Sequence, residues 1–431
     1  MSKEFPKISV IIPVKDRSEY LYQTLRTCIS QSYENAEFIV ADDKSSDDTV
    51  EMVERLMTKD ERIKLIKRNE RVGMLINFED ALNHVEGDYV IALGGDDGLM
   101  PDALKELADI IIQTKAQLVT WIPPIYEYSS KEKATGMIRL NLKKEYDHKV
   151  TSKEFLNRQT KRLGYITDKE CPMFYVKGIA SMEIVRRVKS RSKDGRFYSC
   201  PTPDGYSGIV LAGEVNDYLF LAKPYSIYGA SPSSQGKAYL SNDEKSKKAS
   251  KEFYSSVSKV SMHRELASQP YSPLISIMTA DYLLTARDIP GWPGEVPDID
   301  FKNLLKHAVA EICRNGYGED RIMREIQIMY SIADYHQLTD YLTELLKKSK
   351  RRGINNIDLK NIISLKYLYL KAEDFDVHNV FDASYASKYY LSAISQYSLK
   401  GIINVLWRSG KLYFKNKKIV GDCKSFIRKE S

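Results

Sequence analysis

Two pairs of adjacent aspartates are the side chains whose types and spacing best suit chemistry. Asp42 and Asp43 follow the apolar run EFIVA, and Asp96 and Asp97 follow DYVIALGG. If both runs are parallel strands of one sheet, the pairs meet at one edge, where like charges repel unless a cation or a donor group joins them. Mg²⁺ and Mn²⁺ prefer such oxygen ligands together with substrate phosphates. The sequence therefore predicts a divalent metal here, against the alternative of solvated turn residues that cap the following helices.

Another carboxylate stands in the segment CPTPDGYSG, residues 200–208, which is predicted to be a Pro/Asp/Gly loop. Asp204 is the candidate general base, because a carboxylate within hydrogen-bond reach can take the proton of an attacking hydroxyl. The competing interpretation is an ordinary Pro-Asp-Gly turn. Glu214, Asp217 and Asp194 are the fallback candidates.

The elements that must position these residues alternate regularly over the first 125 residues. Strands are predicted at residues 8–12, 37–41, 63–67, 88–95 and 117–122, with helices between them, the first capped by Ser18. This alternation predicts an α/β fold with an open, mostly parallel sheet and helices on both faces, which binds ligands at the carboxyl ends of its strands. Beyond residue 240 the pattern turns helical, with helices predicted at 251–266, 275–286, 301–315, 322–346, 359–372 and 385–397.

Composition and motifs exclude several classes of protein. The chain has 431 residues, 43% of them hydrophobic, and no apolar run of the length that spans a bilayer. Its start lacks the apolar core of a signal peptide, and its five scattered cysteines match neither a zinc site nor a disulfide framework, so we expect a cytoplasmic protein. P-loop NTPases and NAD-type dehydrogenases are poor candidates, since neither glycine-rich phosphate motif is present.

The net charge of +7 conceals two unlike parts: residues 1–128 carry −9 and the remainder +16. The last 30 residues, 402–431, have eight basic and two acidic side chains, together with Trp407. A basic amphipathic helix of this kind suits an anionic membrane surface, and a charged helix docked on the preceding helices is the alternative.

Two further features each allow two interpretations. The basic residues Arg186, Arg187, Lys189 and Arg191 meet an anionic ligand or form a solvated helix face, and Trp121 stacks on a sugar or packs in the core.

Four ordered motifs in residues 6–125 resemble family 2 glycosyltransferases of the GT-A fold. They are a strand ending in PVKDR, the acidic turn DDKSSDDT, the segment NERVGML and the sequence GGDDGLMP. The resemblance weakens beyond residue 125 and extends to about residue 240. One position departs from the family pattern, because Gly94 stands where the family usually has the first acidic residue of its metal motif.

The resemblance implies a role for each matching residue. Pro13, Lys15, Asp16 and Arg17 would line the base and ribose pocket; Asp42 and Asp43 would meet uracil; Arg71 would face base or phosphate; Asp96 would bind the metal, Asp97 would support ribose or metal, and Asp204 would be the catalytic base.

The family likeness and the carboxylates together lead to one expectation. The protein would be an inverting, Mn²⁺- or Mg²⁺-dependent hexosyltransferase of bacterial-type surface polysaccharide synthesis. Its partners would be a UDP-sugar donor, a glycan or lipid-linked acceptor, the inner face of the plasma membrane and a second copy of itself, but not nucleic acid. The alternatives are a nucleotide- or sugar-phosphate transferase on a similar sheet and a non-catalytic scaffold. The expected domains are a nucleotide-sugar-binding part (1–128), an acceptor-binding and catalytic part (129–240) and a helical C-terminal domain with a basic tail (241–431).

Overall fold

The computed structural model describes residues 5–130, 135–232, 260–314, 317–349 and 367–395. The strands are β1 (Ile8–Val14), β2 (Ala36–Asp42), β3 (Ile63–Lys67), β4 (Tyr89–Ala92), β5 (Gly98–Leu99), β6 (Leu118–Trp121), β7 (Ile125–Glu127), β8 (Met137–Asn141), β9 (His148–Thr151), β10 (Gly178–Ser181), β11 (Asp217–Leu221), β12 (Ser226–Ala230) and β13 (Tyr367–Lys371). Their β-branched and aromatic residues suit strands that are buried on both faces. The α/β class predicted from the sequence is confirmed.

The helices alternate with these strands in the first half and follow one another in the second. They are α1 (Ser18–Ile29), α2 (Thr49–Met57), α3 (Met74–Asn83), α4 (Ala103–Thr114), α5 (Ser152–Arg162), α6 (Met182–Arg191), α7 (Pro203–Gly213), α8 (Ile275–Arg287), α9 (Phe301–Arg314), α10 (Glu319–Tyr335), α11 (Thr339–Lys348) and α12 (Val380–Ser395). Among the described residues, no helix has both the length and the apolar character needed to cross a membrane.

The main sheet has eight strands in the order β3-β2-β1-β4-β10-β6-β11-β9. The pairs β3–β2, β2–β1 and β1–β4 are parallel, so their carboxyl ends lie at one edge. Strand β10 lies antiparallel between β4 and β6, so the predicted sheet is parallel only in part. A smaller sheet, β13-β8-β7-β12-β5, stands beside the main one.

The apolar residues of β1 alternate between two cores, one on each face of the main sheet. Ile8, Val10 and Ile12 join a core that includes α1, α4 and α12, whereas Ile11 joins a core built with α3, α7 and α8. Trp121 is fully buried in the first of these cores and donates its indole N–H to Ser226 Oγ (2.7 Å). Its predicted alternative role, packing in the core, is therefore the one observed.

The C-terminal region differs from its predicted helices at two places. The helix predicted at 322–346 is two helices, α10 and α11, with Gln337 between them in the left-handed region (φ 58°). Residues 367–371, expected to be helical, form β13, which pairs antiparallel with β8. The predicted helix at 251–266 and the basic tail at 402–431 lie mostly or wholly outside the described residues.

Helix α12 returns from the end of the described chain to the first helix. The Arg26 guanidinium lies 4.0 Å from the centre of the Phe381 ring, and Lys388 forms a 2.6 Å ion pair with Asp102. Residues beyond 240 thus help to cover the N-terminal sheet. The proposed division at residues 128 and 240 stays a prediction.

A buried acidic group in β2 stabilises the sheet away from the ligand edge. Glu37 is 1% exposed and accepts hydrogen bonds from Ser9 Oγ, Lys64 Nζ and the Glu86 N–H at 2.5–2.8 Å. Burial alone would raise the pKa of Glu37, but these bonds outweigh it and lower the pKa to about 2. The ionised form of Glu37 is therefore the one that the fold favours.

Glu37→Gln is expected to lower the free energy of unfolding at pH 7 by about 2 kcal/mol, after allowance for solvent around the lysines. Because the folded-state pKa of Glu37 lies below its ordinary value of 4.5, this contribution is present above pH 4.5 and is lost as the pH falls toward 2. Urea unfolding at pH 7 and pH 3 measures it. The exposed neighbour Glu34→Gln is the control, and an equal loss in both variants would contradict the assignment.

Candidate active site

The first two loops at the carboxyl edge of the sheet are bound to each other by hydrogen bonds. The Asp16 N–H donates to Ser45 Oγ (2.8 Å), and the Ser46 N–H donates to Asp16 Oδ1 (2.7 Å). Asp16 has φ 51°, a left-handed conformation that aspartate tolerates better than most residues. The segment carrying Pro13, Lys15, Asp16 and Arg17 is thereby held against the acidic turn after β2.

The acidic turn also supplies the cap of the first helix, which the sequence pattern assigned to Ser18. Ser18 is the first residue of α1, and its N–H donates to Asp47 Oδ2 (3.0 Å). The Arg17 N–H donates to Thr49 Oγ1 (3.1 Å). The predicted Ser18 cap is wrong, because side chains of the neighbouring loop satisfy these N–H groups.

Asp43 binds the turn that carries Arg71. Its Oδ1 accepts the Val72 N–H (2.7 Å) and its Oδ2 accepts the Gly73 N–H (3.0 Å). Gly73 has φ 86°, which glycine adopts without the steric cost of a side chain. Asp43 thus joins the ends of β2 and β3 on the ligand side and places the exposed Arg71 there.

Asp42 keeps one acceptor atom unused among the described residues. Its side chain is 2% exposed, and its Oδ2 accepts the Ser45 N–H (2.9 Å). Its Oδ1 is buried without a hydrogen-bond partner in the described part of the chain. An unsatisfied buried oxygen at a ligand edge favours a ligand donor, since leaving it unpaired costs about 1–3 kcal/mol.

The turn after β4 places Asp96 and Asp97 in different surroundings. Asp97 is fully buried, and its two carboxylate oxygens accept the N–H groups of Gly94 (2.7 Å) and Gly229 (2.8 Å). Burial raises the pKa of Asp97 well above its ordinary value, and the neighbouring Asp96 charge raises it further. Asp96 is 9% exposed, and no hydrogen bond from the described residues reaches its carboxylate. Asp96 is therefore placed to take an outside ligand, and Asp97 to shape the turn.

Position 94 has no room for a side chain, because oxygen atoms of the neighbouring residues crowd it. A Cβ on Gly94 would lie 2.7 Å from the Tyr175 hydroxyl oxygen and 2.8 Å from Asp97 Oδ2. Asp96 Oδ1 would lie 3.2 Å from the same point. Carboxylate oxygens are ligands that Mg²⁺ and Mn²⁺ prefer, and the Asp96 carboxylate is the candidate direct ligand in this turn. Within the described ranges, no three His, Cys, Asp or Glu side chains converge as a metal site, so the substrate would supply the remaining ligands.

Asp204 lies on a helix, not in the loop that the sequence predicted. Pro203 is the first residue of α7, where its missing N–H costs nothing, and Asp204 stands in the first turn. Asp204 Oδ2 accepts the Tyr165 hydroxyl (3.4 Å), and its buried Oδ1 has no partner among the described residues. Burial raises the pKa of Asp204, although its hydrogen bonds oppose the shift. A carboxylate of this kind is a stronger base than an exposed one.

Two half-buried tyrosines connect the aspartate turn with Asp204. Burial raises the pKa of Tyr175, and the charges of Asp97, Asp96 and Asp204 raise it further. The same carboxylates act in the same direction on the pKa of Tyr228. Both phenols are therefore within electrostatic reach of all three carboxylates.

The fallback bases lie elsewhere. Glu214 is buried at the other end of α7, about 15 Å along the helix, and pairs with Arg187 and Arg191. Asp217 and Asp194 are exposed and pair with Lys149 and Arg196 respectively.

The basic residues of α6 bind buried carboxylates. Lys189 forms an ion pair with the buried Glu79 (2.6 Å). Arg187, Lys189 and Arg191 are thus structural partners of buried carboxylates, which neither predicted interpretation anticipated.

Sequence reasoning missed the tyrosines of the site. Tyr175 sits in the apolar segment MFYVKGIAS, and Tyr165 and Tyr228 carry no motif of their own. No spacing signal marks them, because each reaches the site through tertiary contacts. The chain has 29 tyrosines, so composition does not single them out either.

The sequence of the chain is similar to sequences of known glycosyltransferases. Residues 9–173 match the family model described as Glycosyl transferase family 2. The GalNAc(5)-diNAcBac-PP-undecaprenol beta-1,3-glucosyltransferase of Campylobacter jejuni is 37% identical over 103 residues, 24% of this chain and 33% of that protein. The UDP-Glc:alpha-D-GlcNAc-diphosphoundecaprenol beta-1,3-glucosyltransferase WfaP of Escherichia coli is 36% identical over 90 residues, 21% of this chain and 35% of that protein.

Among solved structures, S. aureus TarS 1-349 aligns with a TM-score of 0.43 and 15% identity, covering 80% of this chain and 92% of that one. The chain spans about a third of the length of the two glucosyltransferases, from Campylobacter jejuni and Escherichia coli, that it matches. The family match contains the first loops, the acidic turn and the Asp96–Asp97 turn, but not Asp204. Over residues 9–173, less than half of its length, the chain is therefore similar to glycosyltransferase family 2.

Proposed function

We propose that the protein is an inverting glycosyltransferase that moves a sugar from a UDP-sugar to a hydroxyl of a glycan or lipid-linked acceptor in bacterial surface polysaccharide synthesis. The family 2 match supports the donor half of this proposal. Two relatives, both named for undecaprenol-linked glycans, support the lipid-linked acceptor. The observation that carries the catalytic half is Asp204, a carboxylate with a raised pKa and an unpartnered oxygen, whose charge acts on the same two tyrosines as the charges of Asp96 and Asp97.

On the donor side, the first loop (Pro13, Lys15, Asp16 and Arg17) and the turn at Arg71 enclose the nucleotide. Asp42 offers its unpartnered oxygen to an N–H of the base, whereas Asp43 already binds two backbone N–H groups and shapes the pocket. A carboxylate oxygen has a second lone pair, so Asp43 also remains able to accept from uracil. Arg17 lies with its stem against Gly95, where a Cβ would come within 3.2 Å of it.

The transfer is a single displacement at the anomeric carbon. The acceptor oxygen forms the new bond, the bond from the anomeric carbon to the diphosphate oxygen breaks, and the acceptor proton passes to Asp204. Attack opposite the leaving group inverts the configuration. A divalent cation bound through Asp96 would offset the charge that grows on the leaving diphosphate.

We further propose that the protein works in the cytoplasm at the inner face of the plasma membrane, which residues 402–431 would reach. That segment lies outside the described residues, and its membrane contact and any self-association stay predictions.

A nucleotide-sugar panel tests the proposed function. With Mn²⁺ and UDP-sugars, we expect a rise in melting temperature for at least one donor and a slow release of UDP. A short-chain lipid-diphosphate acceptor should speed the release, and EDTA should suppress it. Release of UMP or of a sugar phosphate in place of UDP would favour the nucleotide- or sugar-phosphate transferase. No melting shift with any nucleotide-sugar would support the scaffold and refute both enzymes.

A further inference from the structure

We propose that Tyr175 is a positioning residue of the transfer site, holding the Asp96–Asp97 turn in place and setting its relation to Asp204. This role rests on the proposed function for its purpose, although the geometry stands by itself. The Tyr175 hydroxyl oxygen and Asp97 Oδ2 both lie beside Gly94, at 2.7 Å and 2.8 Å from the place where a Cβ would stand. The Tyr175 hydroxyl therefore packs against the turn at the point where any side chain at position 94 would have to go.

The backbone around Tyr175 is fixed by an unusual turn. Val176 has φ 59°, a conformation that β-branched residues strongly disfavour. The Lys177 N–H donates to the Tyr175 carbonyl (2.7 Å), which closes a three-residue turn around Val176. Strain of this kind persists only where the surroundings impose it, and it concentrates at functional sites.

The surroundings that impose the turn belong to the strand that carries the aspartates. The Val176 N–H donates to the carbonyl of Ala92, the last residue of β4 (2.7 Å). The Val176 carbonyl accepts the Ser226 hydroxyl, which also accepts the Trp121 indole N–H. The backbone next to Tyr175 is thus bound to Ala92, which lies two residues before Gly94. Through Ser226 it is also bound to β12, the strand whose Gly229 N–H donates to Asp97.

The ring of Tyr175 is half-buried and meets the Phe78 ring edge-on, with 6.0 Å between the ring centres. Burial raises the pKa of Tyr175, and the charges of Asp97, Asp96 and Asp204 raise it further.

Hydrogen exchange of the unliganded protein tests the positioning role directly. In Tyr175→Phe we expect the amides of Gly94 and Gly229, both bound to the Asp97 carboxylate, to exchange about tenfold faster. The control is Tyr218→Phe, which removes another buried hydroxyl, bonded to the Glu170 carbonyl at 2.7 Å. It should leave both amides unchanged. Unchanged exchange in Tyr175→Phe would overturn the inference whether or not the protein transfers sugar.

A binding measurement separates positioning from a general structural role. Calorimetry with UDP and MnCl₂ should give a Kd about tenfold higher for Tyr175→Phe, whereas Tyr218→Phe should match the wild type. Gly94→Ala, which pushes a methyl group against the same hydroxyl, should weaken binding similarly. Because both changes act on one turn, the double variant should lose less than the product of the two effects. Independent, multiplicative losses would overturn the inference. Wild-type protein that fails to bind UDP would refute the proposed donor, and the exchange result would still decide the role of Tyr175.

Discussion

Asp204→Asn is expected to lower the rate of sugar transfer by roughly 10²- to 10⁴-fold, the usual contribution of a general base. Asparagine keeps the shape of the side chain and its place in the first turn of α7, but it accepts no proton from the acceptor hydroxyl. Binding of UDP and Mn²⁺ should stay within about twofold of wild type, because the Asp204 carboxylate accepts its side-chain hydrogen bond from Tyr165, which lies outside the donor loops. Initial rates with saturating donor, and calorimetry with UDP, measure the two effects separately.

The same substitution should not weaken the fold. Burial raises the pKa of Asp204, so the folded state disfavours its ionised form, and this group destabilises the protein as the pH rises above its ordinary value of 3.8. Asparagine removes that cost, and the free energy of unfolding at pH 7 should stay equal or rise. In the wild type, the raised pKa should also place the acid limb of the rate profile above pH 3.8.

Asp194→Asn is the matched control for this experiment, since Asp194 is an exposed turn aspartate in the same section of the chain. It should keep the wild-type rate. If Asp204→Asn transfers sugar at the wild-type rate, Asp204 is not the base. If Asp194→Asn loses the rate in its place, the fallback candidate takes the role.

The donor edge of the site could be predicted because its signals are local. The β-branched run at β1 and the aspartates directly after β2 and β4 each combine a strand with its loop in a few neighbouring residues. Parallel pairing of β1 with β2 and β4 then brings these loops to one edge. Strand β10 escaped this reasoning, because an apolar segment shows that a strand exists but not which strands it joins or in which direction.

The acceptor side was harder to predict because its helix has no polar face. Every residue of α7 from Gly205 to Gly213 is buried, so the alternation that marks an amphipathic helix is missing. Pro-Asp-Gly then reads as a turn, although Pro203 starts the helix. The ion pair of Lys189 with Glu79 joins residues 110 positions apart, and no local spacing reports such a contact.

Asp96→Asn is expected to raise the Kd for UDP in the presence of Mn²⁺ by at least about 100-fold, since the cation would lose its one direct protein ligand. The reason is the division of labour in the turn. Asp97 uses both carboxylate oxygens on backbone N–H groups, whereas the Asp96 carboxylate meets no donor among the described residues. Calorimetry with UDP, with MnCl₂ and after EDTA treatment measures the effect.

Stability without metal should move in the opposite direction, and this reversal distinguishes a metal ligand from a structural aspartate. The Asp96 charge helps to raise the pKa of the buried Asp97, so two adjacent carboxylates oppose folding until a cation joins them. Asp96→Asn should therefore raise the free energy of unfolding of the metal-free protein by on the order of 1 kcal/mol, and it should abolish the stabilisation that Mn²⁺ gives to the wild type.

Asp88→Asn is the control, because Asp88 lies at the opposite end of β4 and accepts the Lys7 N–H. Asp88→Asn should keep the response to Mn²⁺. An Asp96→Asn protein that still gains stability from Mn²⁺ would show that the cation binds elsewhere.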